Sequence, residues 1–64
     1  MNEYQEQVYA VAQQVWDSAE DADTFMAAPH ALLGGKTPFE VAVTETGAQQ
    51  VEEILWNIYW GLPR

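Results

Sequence analysis

The feature that most constrains the fold of this chain is a series of helix-starting and helix-ending residues along its length. Residues that can cap the first turn of a helix recur at four places: Asn2, Ser18, Thr37 and Thr44. Pro29 and Gly61 are of the types that end helices. Between these points apolar residues recur every three or four positions, which is typical of amphipathic helices. The pattern predicts an all-α fold, a small bundle of about four helices with the last one longest.

The same signals predict the bounds of the helices. We expect them at Glu3 to about Trp16, from Ser18 to Ala27 or Ala28, from Pro38 to about Val43, and from Glu45 to about Trp60. The apolar positions on their inner faces and in the connector are expected to form the core: Tyr4, Val8, Val11, Ala12, Val15, Ala19, Ala22, Phe25, Met26, Leu32, Leu33, Phe39, Ala42, Val43, Ala48, Val51, Ile54, Leu55 and Ile58.

The stretch "LLGGKTPFEVA" contains the most specific local signal. Gly34 and Gly35 permit backbone angles that side chains disfavour. Thr37 is a suitable N-cap, Pro38 suits the first helical position, and Glu40 completes a capping box. Elsewhere, Gly47 lies inside the first turn of the last helix, where it predicts a close approach to a neighbouring helix or loop, and Gly61 predicts the C-terminal stop of that helix.

Size and charge limit the classes of function. The chain has 64 residues, no cysteine and a formal charge of −8. A single domain over residues 1–64 is expected, with a marginal core that assembly with another protein would support. The acidic charge argues against direct binding of nucleic acid or anionic membranes and favours a basic partner, although a solvated surface alone also explains it. Without a signal peptide or a membrane-spanning run, a cytoplasmic location is expected.

Catalytic and metal-binding patterns fail on inspection. His30 is the single histidine, and a metal site would need several further ligands. The acidic residues between positions 17 and 23 lack the spacing of a calcium loop. "GGKT" resembles part of a phosphate-binding loop, but the first glycine of that motif is replaced by His30 and no strand precedes it. We therefore expect no catalytic residue, no metal and no cofactor, and not an enzyme.

The last predicted helix carries two tryptophans opposite its apolar stripe. At about 100° per residue, Trp56 and Trp60 share a face with Gln49 and Glu53, and Tyr59 lies at the edge of the stripe. Tryptophan is enriched among the residues that anchor protein interfaces. Alternatively, this helix is central and covered on all sides by the other three. The pattern favours the first interpretation, in which the protein binds another protein.

An ordered set of residues over most of the chain carries a family resemblance. The set comprises Trp16, Ala22 and the segment "FMAAPHALLGGKTPFEVAVTETGAQQVEEILWNIYWG". Its key positions are Phe25-Met26, Pro29, Leu32 or Leu33, Gly35, Thr37-Pro38, Thr44, Gly47, Val51, Leu55, Ile58 and Gly61. From about Val8 to Gly61 the chain resembles the toxin-binding domain of MbcA/ParS/Xre-type antitoxins.

The resemblance implies an all-α domain that neutralises a cognate toxin of the RES type, a class that consumes NAD. It also implies a homodimer and a C-terminal segment at or near the toxin's active-site entrance. In this chain that segment is "YWGLPR", so Leu62 and Arg64 are expected to contact the toxin, while Glu53, Trp56, Tyr59 and Trp60 support the interface. Antitoxins of this kind carry an upstream helix-turn-helix domain, for which 64 residues leave no room, so DNA binding is not expected. A self-associating scaffold of the same fold is the alternative.

Overall fold

The structure is a computed structural model that describes residues 1–61. Four α-helices follow one another in this part of the chain: α1 (Glu3–Trp16), α2 (Ala19–Ala27), α3 (Pro38–Val41) and α4 (Glu45–Trp60). A 3₁₀ turn, Ala31–Leu33, lies between α2 and α3. The described residues contain no strand, and α4, with 16 residues, is the longest helix. The predicted all-α class, the number of helices and the longest helix are confirmed.

The helices begin where the capping residues predict. Each N-cap side chain accepts a hydrogen bond from the backbone N–H three residues later, in the pairs Asn2–Gln5 (2.9 Å), Ser18–Asp21 (3.2 Å), Thr37–Glu40 (3.1 Å) and Thr44–Gly47 (3.0 Å). At Asn2 and Thr37 the return bond of a capping box is also present. These bonds satisfy backbone donors that a helix leaves free in its first turn, so local chemistry fixes the helix starts.

A buried glutamine connects the start of α1 to α3. Gln5 is only 8% exposed, and its side-chain amide donates to the backbone carbonyl of Phe39 at 3.0 Å. Beside it, the Asn2 side chain donates to the carbonyl of Val43 at 2.9 Å. The N-termini of α1 and α4 therefore lie at the same end of the molecule. These bonds could not be predicted from the sequence, because they join residues far apart in the chain.

The core is built from small and medium-sized side chains. α1 packs against α2 and α4, and α3 packs against α2 and α4. The buried cluster consists of Val8, Ala12, Ala22, Met26, Ala42, Ala48, Val51 and Leu55. Its alanines leave little side chain between the helices and so allow their backbones to approach closely. None of the eight aromatic side chains is buried, so the largest apolar groups lie at or near the surface.

Five residues predicted to lie in the core are exposed: Ala19, Leu32, Phe39, Val43 and Ile58. Ala19 is the first residue of α2, beyond the part that packs inward. α3 ends at Val41 rather than near Val43, so Val43 does not lie on the inner face of that helix. Phe39 lies on α3 and is 38% exposed.

Leu32 and Ile58 are exposed for other reasons. The segment around Leu32 is a 3₁₀ turn, in which successive side chains point about 120° apart. Leu33 therefore packs against the core, while Leu32 points outward and is 77% exposed. Ile58 is 45% exposed because the last turn of α4 extends past the cover that the other described helices provide.

Gly47 lies at a close approach between the backbones of two helices. A Cβ atom at this position would collide with the carbonyl oxygen of Val41 and would lie 2.8 Å from its carbonyl carbon. The end of α3 therefore lies directly against the first turn of α4. This confirms the close approach that the glycine predicts.

Candidate protein-binding surface

α4 divides into a buried stripe and an exposed face. Ala48, Val51, Ile54 and Leu55 are buried, which fixes the rotation of the helix about its axis. Exposure rises toward the C-terminus: Tyr59, at the edge of the stripe, is 49% exposed, and Trp60, on the opposite side, is 66% exposed. Large apolar side chains are therefore concentrated at the exposed end of α4.

Trp56, Tyr59 and Trp60 form a contiguous aromatic cluster. The ring centroids of Trp56 and Tyr59 are 5.6 Å apart, those of Tyr59 and Trp60 are 5.2 Å apart, and both pairs meet edge to face. This geometry is favourable for aromatic rings. Trp56 is half-buried, so the outward orientation predicted for both indoles is found fully for Trp60 and in part for Trp56. Neither ring is sealed inside the protein.

Gly61 caps the C-terminus of α4, directly after the aromatic cluster. Gly61 has a φ of +65°, and its N–H donates to the carbonyls of Asn57 (3.0 Å) and Ile58 (3.2 Å). No basic residue lies in the last turn of α4. The partial negative charge of the helix C-terminus is therefore not offset by a side chain of that turn.

A groove of about 400 Å³ runs between α4 and the 3₁₀ turn, next to the aromatic cluster. Its lining consists of Leu32, Leu33, Gln50, Glu53, Ile54 and Asn57. The two leucines and Ile54 make one part of the groove apolar, and Glu53 supplies an exposed carboxylate. The groove is thus suited to a side chain of a partner protein with both apolar and polar parts.

His30 holds the 3₁₀ turn that forms one wall of this groove. Its Nδ1 accepts from the N–H of Leu32 at 3.2 Å, and its carbonyl accepts from the N–H groups of Leu33 (3.0 Å) and Gly35 (3.1 Å). The imidazole also meets the ring of Phe25 edge to face, with centroids 6.3 Å apart. The single histidine therefore has a structural function in positioning Leu32.

The predicted partner-contact residues fall into two groups. Glu53, Trp56, Tyr59 and Trp60 lie along the same half of α4, with Glu53 on the groove and the rings at the helix end. Leu62 and Arg64 lie outside the described residues.

Leu32 is a surface residue of the groove that was not predicted as one from the sequence. The short spacing from His30 to Gly34, which is typical of a tight turn rather than a helix, was the available signal.

The residues predicted to have structural functions occupy identifiable positions. Thr37 caps α3, and Pro38, which is fully buried, is its first residue. Gly35 has a φ of +82°, a conformation that favours glycine. Gly47 contacts the end of α3, and Gly61 ends α4.

Neither a metal-binding cluster nor a membrane-spanning helix is found in residues 1–61. No group of three or more histidine, cysteine or acidic side chains is arranged to hold a metal ion there. None of the helices in that range combines the length and the hydropathy needed to cross a bilayer.

Comparison with known protein families places most of the chain in one family. Residues 11–61 match the model of the antitoxin Xre/MbcA/ParS C-terminal toxin-binding domain. The chain belongs to this family. The matched range includes the 3₁₀ turn, the groove and the aromatic cluster of this toxin-binding domain, and excludes the first eight residues of α1. Searches of curated proteins and of solved structures gave no match. The domain is therefore an antitoxin domain whose family binds toxins.

Proposed function

We propose that this domain neutralises a RES-type, NAD-consuming toxin by binding it through the C-terminal half of α4 and blocking its active site. Membership of the toxin-binding family supports a toxin as the partner. The observation that carries the choice of surface is the aromatic cluster, in which Trp60 is 66% exposed. Tryptophan and tyrosine supply much of the binding energy in protein interfaces, which makes this cluster the best anchor on the molecule.

The distribution of apolar side chains supports a binding function over a catalytic one. The core is formed largely by alanine, valine and leucine, and all eight aromatic side chains remain at least partly exposed. A domain of this size has little core to stabilise it. Burial of the aromatic cluster against a toxin would add apolar contact that the isolated domain lacks. We propose that the domain acts in the cytoplasm, without catalysis and without direct contact with nucleic acid.

NAD consumption by a RES-type toxin tests the proposed function. A RES-type toxin from the same genome is incubated with NAD, and the domain is added at increasing concentration. We expect NAD consumption to fall to the level without toxin once the domain is in excess. An unrelated acidic protein of similar size serves as the control for non-specific charge effects. Unchanged turnover at saturating domain would refute the proposal.

A self-associating scaffold is the second candidate, and the same aromatic cluster favours it. Exposed rings at the end of α4 are suited to packing against a second copy, as in the expected homodimer. Sedimentation over a range of concentrations, together with tryptophan emission, separates the two functions. A homodimer that buries the rings gives blue-shifted emission that is lost on dilution. A domain whose rings bind a toxin gives red-shifted emission as a monomer.

A further inference from the structure

We propose that the groove and the aromatic cluster together bind an amphipathic segment of the partner that carries arginine. An apolar side chain of that segment occupies the groove between the 3₁₀ turn and α4. The neighbouring guanidinium pairs with Glu53 and stacks on the indoles. This inference rests on the proposed function and specifies the chemistry of the partner surface.

The charges around the cluster select a basic partner. α4 contains three glutamates and no lysine or arginine. Its C-terminal end carries the negative pole of the helix dipole, and no basic residue lies in its last turn. The chain as a whole has a formal charge of −8. A cation that approaches the end of α4 therefore gains attraction from several sources at once.

The position of Glu53 joins the groove to the rings. It lines the groove, and it precedes Trp56 by about one helical turn and Trp60 by about two, roughly 10 Å along the axis. Long side chains of a helix lean toward its N-terminus, so the indole of Trp60 is inclined toward the turn that Glu53 begins. A planar guanidinium can donate to a carboxylate and also stack on an aromatic face. Arginine fits this combination better than lysine does.

The same charges argue against a second copy of this chain as the occupant. Two α4 helices packed face to face would bring Glu52 and Glu53 of one copy toward those of the other. Neither helix contributes a basic residue to offset the repulsion. Like charges placed opposite each other across an interface disfavour association. A basic segment of a different protein meets no such repulsion.

A pair of synthetic peptides tests the chemistry without the toxin. One peptide has arginine and leucine at helical spacing, and the other has citrulline, which is neutral and nearly isosteric, in place of arginine. Binding is followed by NMR through the indole N–H signals of Trp56 and Trp60 at low salt. We expect the arginine peptide to bind about fivefold more tightly and to shift both indole signals. In about 1 M salt, charges more than about 3 Å apart are largely screened, so the difference in affinity between the two peptides should become smaller.

Two charge variants give the matched comparison. Glu53→Gln should remove most of the preference for arginine. Glu20→Gln, an exposed position on α2 with the same change in net charge, should leave it in place. Equal binding of the two peptides, unshifted indole signals, or an equal effect of both variants would overturn the inference. If the domain fails to inhibit the toxin but still prefers the arginine peptide, the proposed function is refuted. The partner of the groove and the cluster is then a different basic protein.

Discussion

At the scale of single residues, the side chain of Gln5 connects two helices that are distant in sequence. It accepts from the N–H of Asn2 at 2.7 Å and donates to the carbonyl of Phe39 at 3.0 Å. Gln5→Ala removes both bonds and leaves the Phe39 carbonyl without this donor, so we expect a loss of about 1–3 kcal/mol of unfolding free energy. Urea denaturation measures the change. Gln7→Ala, at an exposed position of α1, is the control and should change stability little.

Gly47 should show a reversed response to alanine. In an exposed helix, replacing glycine by alanine stabilises by about 1 kcal/mol. Here the added methyl group would collide with the Val41 carbonyl at the end of α3. We therefore expect Gly47→Ala to destabilise the domain by about 1–3 kcal/mol, measured by thermal or urea unfolding. Increased stability would mean that α3 and α4 are farther apart than the structure has them.

Single residues also show where sequence analysis succeeds and where it fails. The caps were predictable because each depends on bonds within three residues, as at Thr37 and Glu40. The burial of Gln5 was not predictable, because its hydrogen-bond partner Phe39 lies 34 residues away in the sequence. Leu32 was misplaced because adjacent leucines were expected to act together, whereas the 3₁₀ turn directs only Leu33 to the core.

At the scale of elements, the start of α3 makes a contribution to stability that depends on pH. The backbone N–H of Thr37, 3.0 Å from Glu40 Oε1, and the Thr37 hydroxyl, 3.1 Å from it, hold the pKa of Glu40 below its ordinary value. A lowered pKa in the folded state stabilises the fold above the ordinary pKa, about 4.3, and the contribution is lost as pH falls through the folded value.

Glu40→Gln should therefore weaken the pH dependence of stability. The glutamine oxygen can still accept from Thr37, but it does not titrate. We expect the difference in melting temperature between pH 7 and about pH 3 to be smaller in the variant than in the wild type. Glu20→Gln is the control, since Glu20 is exposed on α2. An equal pH dependence in wild type and Glu40→Gln would contradict this account of the capping box.

α4 should respond differently to changes on its two faces. Ile54 is 9% exposed and Trp60 is 66% exposed. Ile54→Ala should cost about 2–5 kcal/mol of unfolding free energy, because it removes buried methyl groups. Trp60→Ala should lower the unfolding free energy by no more than about 1 kcal/mol, mainly through loss of the contact with Tyr59. Calorimetry of the two variants tests this difference, and a larger loss for Trp60→Ala would place the indole inside the core.

Elements were predicted more accurately at their starts than in their packing. The first residues of α1, α3 and α4 follow from local capping chemistry. The inner stripe of α4 was predicted correctly from periodicity as far as Leu55. The prediction that Ile58 is also buried was wrong, because periodicity does not show where the covering helices end. The sequence alone likewise did not predict the groove, which depends on how the 3₁₀ turn packs beside α4.

At the scale of the whole molecule, a small acidic domain exposes its largest apolar groups. The described residues have a radius of gyration of 10.6 Å, and their core contains no buried aromatic side chain. The aromatic cluster and the groove lie together on α4, next to acidic charge. We propose that this arrangement binds a basic surface of the partner protein. The family to which the chain belongs is a toxin-binding one.

The most direct test of the central claim is how much Trp60 contributes to inhibition of the toxin. The concentration of domain that halves NAD consumption is measured for the wild type, for Trp60→Ala and for Gln7→Ala, an exposed position on α1. We expect that concentration to rise about 30-fold or more for Trp60→Ala, as for a residue that contributes about 2 kcal/mol to binding, and to stay the same for Gln7→Ala. Wild-type inhibition by Trp60→Ala would contradict the claim that the aromatic cluster binds the toxin.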